Sequence, residues 1–202
     1  MKRITLSAIA LLVFLGGVAA ADRYTPATGS FVRIEGTSTL HAWTMEGTTI
    51  GGSVTAPPIE QWTKATPSSE ASVSIPVTSI KSEHAKMDKL MAEALKAGKN
   101  PMIRYELTHA ALSQPGAAFV LDTRGKLTVA GVTRDVAMQI AGIRDAHGTY
   151  TLTGQLPIRM TDYGIKPPTA MMGTIKTGND VKVTFRWVVE TAKETTKEAA
   201  KN

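Results

Sequence analysis

The residues best able to do chemistry in this chain are few and scattered. Histidine occurs at His41, His84, His109 and His147. A metal centre needs three or four ligands converging at short range. Only His84 and Asp88, four positions apart on a stretch with helical spacing, share a face, and two ligands do not make a site. Ordinary surface or turn histidines are the better-supported reading. Cysteine is absent, which removes thiolate catalysis, thiol redox chemistry and cysteine-rich zinc sites. There is no G-x-S-x-G elbow and no pair of acids in a recognisable setting, so hydrolysis has little support. Groups on distant strands can still converge, which keeps an enzyme acting on a lipid-like substrate as a distant third reading. The expectation is no catalytic residue, no metal and no cofactor.

What remains is soft and apolar. Met87 and Met91 stand at helical spacing, and Met171-Met172 lies in an irregular stretch near Arg159 and Tyr163. Methionine is unbranched and polarizable, which suits an adaptable surface. These six residues are the candidate lid or mouth of a binding site. Gap-filling core is the stronger reading for the helical pair; for Met171-Met172 the two readings stand level. Arg134, Arg159 and Lys166 could meet an anionic head group, although solvated charge explains them better. Trp43 and Trp187 read as core residues on strands, and Trp62 as surface.

The elements that must position these residues are mainly strands. Ile103, Tyr105 and Leu107 alternate with charged residues, and so do Val136, Met138 and Ile140 with Ala137 and Gln139. Leu152, Leu156 and Ile158 follow the same period, as do Val183, Phe185 and Trp187. Alternation places one set on an apolar face and the other in water. These twelve residues are the expected interior, and the architecture they imply is a barrel or sandwich.

Strands are expected over residues 30–38, 43–54, 71–80, 102–113, 118–129, 132–144, 149–159 and 181–190, with a polar lead-in over 22–29. Gln114-Pro115-Gly116, Ala130-Gly131 and Ala146-His147-Gly148 are short turns, so the strands they join should be antiparallel neighbours. Gly125 would let its strand coil tightly. Met87, Leu90, Met91, Ala94 and Leu95 fall at helical spacing, predicting one amphipathic helix over residues 82–98. Ser82 is its expected N-cap and Gly98 its terminator. Residues 160–180 read as irregular.

The start of the chain predicts export. Met1-Lys2-Arg3 is a basic lead, residues 4–18 are largely apolar, and Ala19-Ala20-Ala21 supplies small residues before polar Asp22-Arg23. Such a segment is expected to be a signal peptide over residues 1–21, cleaved near Ala21. With no cysteine after it, lipoprotein anchoring is excluded. The expected domain is 22–190, and residues 191–202 read as a polar, disordered tail. The formal charge is +6, and removing Lys2 and Arg3 leaves +4. The basic residues are interspersed with acids, so no nucleic-acid patch is visible. A transient contact with a membrane surface is compatible with that charge.

Gly125-Lys126-Leu127-Thr128-Val129-Ala130-Gly131-Val132-Thr133-Arg134-Asp135-Val136 resembles the G-x-L-T-[IV]-x-G-V-T-[KR]-x-V hairpin of the YceI-like polyisoprenoid-binding family. Residues 73–80, Asn100-Pro101-Met102-Ile103-Arg104-Tyr105, and Arg159-Met160-Thr161-Asp162-Tyr163-Gly164-Ile165 resemble three more of its segments, in the family's order. Gly36-Thr37-Ser38-Thr39-Leu40-His41-Ala42-Trp43 resembles the S-T-L-H-x-W opening of one branch. The resemblance spans residues 31–190. It implies an all-β fold, an eight-stranded antiparallel lipocalin-like barrel, with an isoprenoid or other long-chain lipid in the lumen. Two segments depart from the family pattern. His84-Ala85-Lys86-Met87-Asp88 replaces an Arg-Asp-rich segment, and Met160-Thr161 follows Arg159 where Thr or Ser follows directly in the family. Both changes lie where a head group could be contacted, so the particular lipid does not transfer.

The leading expectation is therefore a non-catalytic periplasmic carrier of an isoprenoid-like or other long-chain amphiphile. Its alternative is an interaction module, a filled barrel serving a membrane redox or envelope-stress partner. Oligomeric state is not readable from the sequence.

Overall fold

The computed structural model describes residues 21–62 and 69–192. The expected signal peptide, apart from Ala21, lies outside the described residues, and so does the expected tail beyond Ala192. The strands are β1 (Asp22–Pro26), β2 (Phe31–Ser38), β3 (Ala42–Gly47), β4 (Gly51–Ala56) and β5 (Glu70–Pro76). One helix follows, α1 (Ala85–Ala94), and then β6 (Met102–Gln114), β7 (Ala118–Val129), β8 (Val132–Arg144), β9 (Tyr150–Arg159), the two-residue β10 (Thr169–Ala170) and β11 (Ile175–Thr191).

All the pairings are antiparallel, and the sheet closes on itself. β1 and β2 lie end to end along the long β11, and β3 and β4 lie end to end along β2 and β1. Counted as bent strands, these two pairs join β5, β6, β7, β8, β9 and β11 in a closed eight-stranded barrel. Closure leaves few free backbone groups, which is how a small antiparallel sheet avoids exposed edges. At the break between β1 and β2, the buried Ser30 replaces the missing ladder bonds. Its hydroxyl accepts from the Val188 N–H at 3.0 Å and donates to the Ala27 carbonyl at 3.0 Å.

The outer wall is charged, with cross-strand pairs such as Lys126–Asp135 at 3.1 Å and Lys182–Glu35 at 2.8 Å. The inner wall is apolar. A membrane-spanning barrel has the opposite arrangement, with an apolar band outside.

Several boundaries differ from the sequence reading. Residues 22–26 are a strand, because Tyr24 turns inward beside β11 while its polar neighbours face out. The stretch expected as one strand over 43–54 is broken between β3 and β4, and only β4 reaches β5. Val77–Ser79 turns into 3₁₀ helix. β11 begins at Ile175, inside the stretch expected to be irregular, and absorbs a bulge between Thr177 and Val181. At its other end Thr191 pairs with Tyr24, and the Ala192 N–H donates to the Arg23 carbonyl at 2.7 Å, so the barrel extends past Glu190.

The helix is shorter than its periodicity suggests. His84 is the N-cap position and makes no side-chain cap. Ser82 instead braces the entry: its N–H and its hydroxyl donate to Asp88 Oδ1 at 2.7 and 2.8 Å. That bond from the Ser82 N–H, with smaller help from its hydroxyl and from Lys81, holds the Asp88 carboxyl below the usual carboxylate range. At the other end Lys96 takes the left-handed conformation (φ 54°) and its carbonyl accepts from the Lys99 and Asn100 N–H groups, so the helix has already ended and Gly98 lies inside the turn that follows it.

Candidate functional site

Connections in an antiparallel barrel alternate between its two ends. Residues 57–62, which leave β4, and the segments at 115–117 and 145–149 lie at one end, with the β1 and β11 termini. The 38–41 turn, the segment carrying α1, the 130–131 turn and the long 160–174 segment lie at the other. Between these ends the inward residues enclose a cavity of about 350 Å³. That is at the small end of the usual range for ligand pockets. Among the described residues no Asp, Glu, Lys, Arg or His lines it.

Eleven of the twelve expected interior residues line this cavity: Ile103, Tyr105 and Leu107 from β6, Met138 and Ile140 from β8, Leu152, Leu156 and Ile158 from β9, and Val183, Phe185 and Trp187 from β11. Val136 does not. It pairs with Gly125, over which the Tyr105 ring is laid, and packs into the apolar cluster at the α1 end. Gly125 is required there because a Cβ would collide with that ring. Gly142 makes the same room for Phe119.

The walls also include residues that alternation could have revealed but did not. Phe119, Leu121, Thr123, Leu127 and Val129 are the inward face of β7. Their pattern is interrupted at Thr123 and Gly125, which hides it in sequence. Thr123 is buried and satisfied, its hydroxyl donating to the Met138 carbonyl at 2.8 Å. On β6 a bulge between Leu107 and His109 switches the inward set from odd to even positions, bringing in Ala110 and Leu112. A one-residue insertion of this kind flips every later side chain. Trp62, expected at the surface, lines the lumen and anchors its indole N–H on the Pro57 carbonyl at 2.9 Å.

The end away from α1 is plugged by aromatic rings. Tyr150 meets Tyr24 edge-on at 5.2 Å and Phe119 at 6.1 Å between centroids. Burial, followed by the neighbouring Tyr150, pushes the Tyr24 phenol well up from its usual range. The opposite end is closed differently. Met160, Tyr163 and Ile165 pack on Leu127, Val129 and Leu95, and α1 lays Met87, Leu90, Met91 and Ala94 against the cavity. None of the residues of α1 is buried. Unlike the strands around it, the helix is held by no ladder of inter-strand hydrogen bonds.

The six expected lid or mouth residues therefore separate. Met87, Met91 and Tyr163 line the lumen. Arg159 does not, and it reaches out to Asp180 at 3.8 Å across an exposed rung. Met171 and Met172 also point away from the lumen, 73% and 107% exposed. Arg134 donates to the Asp162 carbonyl at 2.9 Å, and Lys166 is exposed. The four histidines are all exposed, and no group of three or more His, Asp and Glu among the described residues could hold a metal ion.

Two polar atoms in the wall stand out. The Tyr105 hydroxyl and the Trp187 indole N–H are buried without hydrogen-bond partners. Burial pushes the Tyr105 phenol up. Each orphan costs on the order of 1–3 kcal/mol, which marks the lumen as a place where local stability is conceded.

A closed eight-stranded antiparallel barrel with an uncharged, apolar lumen defines the class of this protein. The YceI-like domain model matches residues 19–189, and the chain belongs to that family. Its fold is similar to BcnA of Burkholderia cenocepacia, with a TM-score of 0.63 at 18% identity over 80% of this chain and 96% of that one. It is similar to a polyisoprenoid binding domain from Saccharophagus degradans implicated in plant cell wall breakdown, with a TM-score of 0.64 at 15% identity over 85% and 99%. The Campylobacter jejuni YceI protein superposes with a TM-score of 0.54 at 14% identity, over 96% of this chain and all of that one. No curated protein matches by sequence. At these identities the likeness is one of fold.

Proposed function

We propose that this protein is a non-catalytic carrier, exported to the periplasm, that holds the hydrocarbon chain of an isoprenoid-like or other long-chain amphiphile in its lumen. The observation that carries the reading is the cavity: about 350 Å³, lined almost wholly by apolar atoms and without a charged residue among those described. Such a space suits a hydrocarbon and nothing that must keep its water. Enclosing about a dozen methylenes supplies on the order of 10 kcal/mol of gross transfer free energy, before the cost of association. No directional contact is then needed for affinity. The fold shared with a polyisoprenoid binding domain supports the ligand class, and the basic and apolar N-terminal segment supports export. A chain longer than the cavity must leave part of itself outside, and α1 is the wall least committed to staying shut.

The test places a charge on either face of one strand. Met138 lines the lumen, whereas Gln139 faces out and donates to Asp122 Oδ1 at 2.9 Å. In delipidated protein offered isoprenoids, quinones and fatty acids, Met138→Arg should abolish uptake, because an unpaired charge in an apolar cavity is costly. Gln139→Arg should bind like the parent. Uptake surviving Met138→Arg in a folded protein would show that the ligand is held elsewhere.

A further inference from the structure

We propose that the protein docks on anionic bilayers through a tip formed by Leu40, Met171 and Met172, and, resting on the carrier reading, that cargo is exchanged there. The tip is built from two loops at the α1 end. β10 pairs with the start of β11 through Thr169↔Lys176 and Ala170↔Ile175, which makes a short hairpin with Met171 and Met172 at its turn. The 38–41 turn is fastened beside it. The Thr39 N–H donates to the Lys176 carbonyl at 3.0 Å, the Lys176 N–H donates to Thr39 Oγ1 at 3.1 Å, and that hydroxyl donates to the Thr174 carbonyl at 3.3 Å.

The side chains on this frame serve no packing role. Leu40, Met171 and Met172 are 66%, 73% and 107% exposed, three of the four exposed large apolar residues described. Both methionines sit at left-handed φ, 51° and 53°, a conformation that favours glycine and strains bulky residues. Folding alone would select glycine at these positions. Two methionines held out in water at a strained turn call for an apolar surface to meet.

The charge beside the tip says which surface. Residues 36–43 and 164–178 contain Lys166 and Lys176 and no acid. Both lysines are exposed, and neither is in an ion pair among the described residues. Of the acids just beyond these stretches, Glu35 pairs with Lys182 and Asp180 with Arg159, leaving Asp162. Apolar side chains flanked by two cations are the chemistry of an interfacial anchor, in which the first enter the acyl boundary and the second meet anionic head groups. The hairpin also borders the cavity, since Pro168 and Thr177 at its base line the lumen. Docking would thus bring the α1 end, where no strand ladder holds the helix, against the bilayer that supplies or receives the lipid.

The experiment is co-sedimentation of the full mature protein with vesicles of phosphatidylcholine alone or mixed with phosphatidylglycerol, with bound lipid assayed by mass spectrometry in each variant. Met171→Gly/Met172→Gly relieves the strained backbone, so it should fold at least as well as the parent, keep its cargo and partition roughly tenfold or more weaker. Lys166→Glu/Lys176→Glu should lose the preference for phosphatidylglycerol, about fivefold for each lysine. Ile143→Ser is the control, because Ile143 is 59% exposed at the opposite end and should not matter. Equal binding to both vesicle types, no response to the tip variants, or an equal loss with Ile143→Ser would overturn the docking tip. A protein that carries lipid but does not dock defeats this inference alone. One that docks but never holds lipid supports the tip and defeats the carrier.

Discussion

The two ends of the barrel solve the problem of closure in opposite ways. At the end holding the chain termini, Tyr24, Phe119 and Tyr150 interlock as rings, with Val189 among the most deeply buried side chains in the molecule. The connections there at 115–117 and 145–149 are tight, and Asp145 braces the second by accepting from the His147 and Thr149 N–H groups at 2.8 and 2.9 Å. At the other end a helix without one buried residue covers the cavity, and two methionines stand in water at left-handed φ. The first end holds the fold together. The second has a buried layer of its own in Val77, Leu127, Val129, Met160 and Tyr163, but its helix and its outermost turn bury nothing, and local opening is drawn from regions with little buried apolar area.

The largest expected effect sharpens this contrast. Tyr150→Ala removes a ring that is 7% exposed and contacts two others, and it should lower unfolding free energy by about 3–5 kcal/mol in denaturant titration. Met91→Ala on α1 should cost only about 1 kcal/mol. If the two costs came out equal, the helix would be as structural as the plug and the division between the ends would fall.

A smaller effect concerns pH. The Asp88 carboxyl titrates below its usual range because the Ser82 N–H binds the charged form. A depressed folded value means the brace stabilises the native state above the unfolded pKa, about 3.9, and loses that contribution as pH falls through the folded value. Asp88→Asn should therefore lower the thermal transition at pH 7, and the gap from the parent should shrink at pH 3. A gap that stayed constant across this range would show that the brace acts by shape and not by charge.

The smallest effect lies inside the lumen. Tyr105→Phe removes a buried hydroxyl that has no partner, so stability should hold or rise by about 1 kcal/mol. A clear loss would mean the hydroxyl is engaged after all.

Strand content and the single helix were legible because alternation and helical spacing are direct images of a half-buried surface. Most of the lumen followed, since an inward set on β8, β9 and β11 is written at every second residue. What stayed hidden depends on partners distant in sequence. The β6 bulge that recruits Ala110 and Leu112 is set by register against β7. Tyr24 reads as polar lead-in until β11 is beside it, and Trp62 reads as loop until the Pro57 carbonyl holds it inward. Val136 obeys the alternation and still misses the cavity, because the Tyr105 ring is laid over Gly125, its pairing partner. Met171 and Met172 looked as much like core as like lid; the hairpin turns both outward.

The most direct measurement of the central claim is what the barrel contains when it leaves the cell. Protein purified gently from its native envelope should release a long-chain amphiphile on solvent extraction, and native mass spectrometry should show one such molecule on each folded chain. A folded protein that repeatedly yields no lipid, and takes up none when offered isoprenoids, quinones and fatty acids, would contradict the carrier.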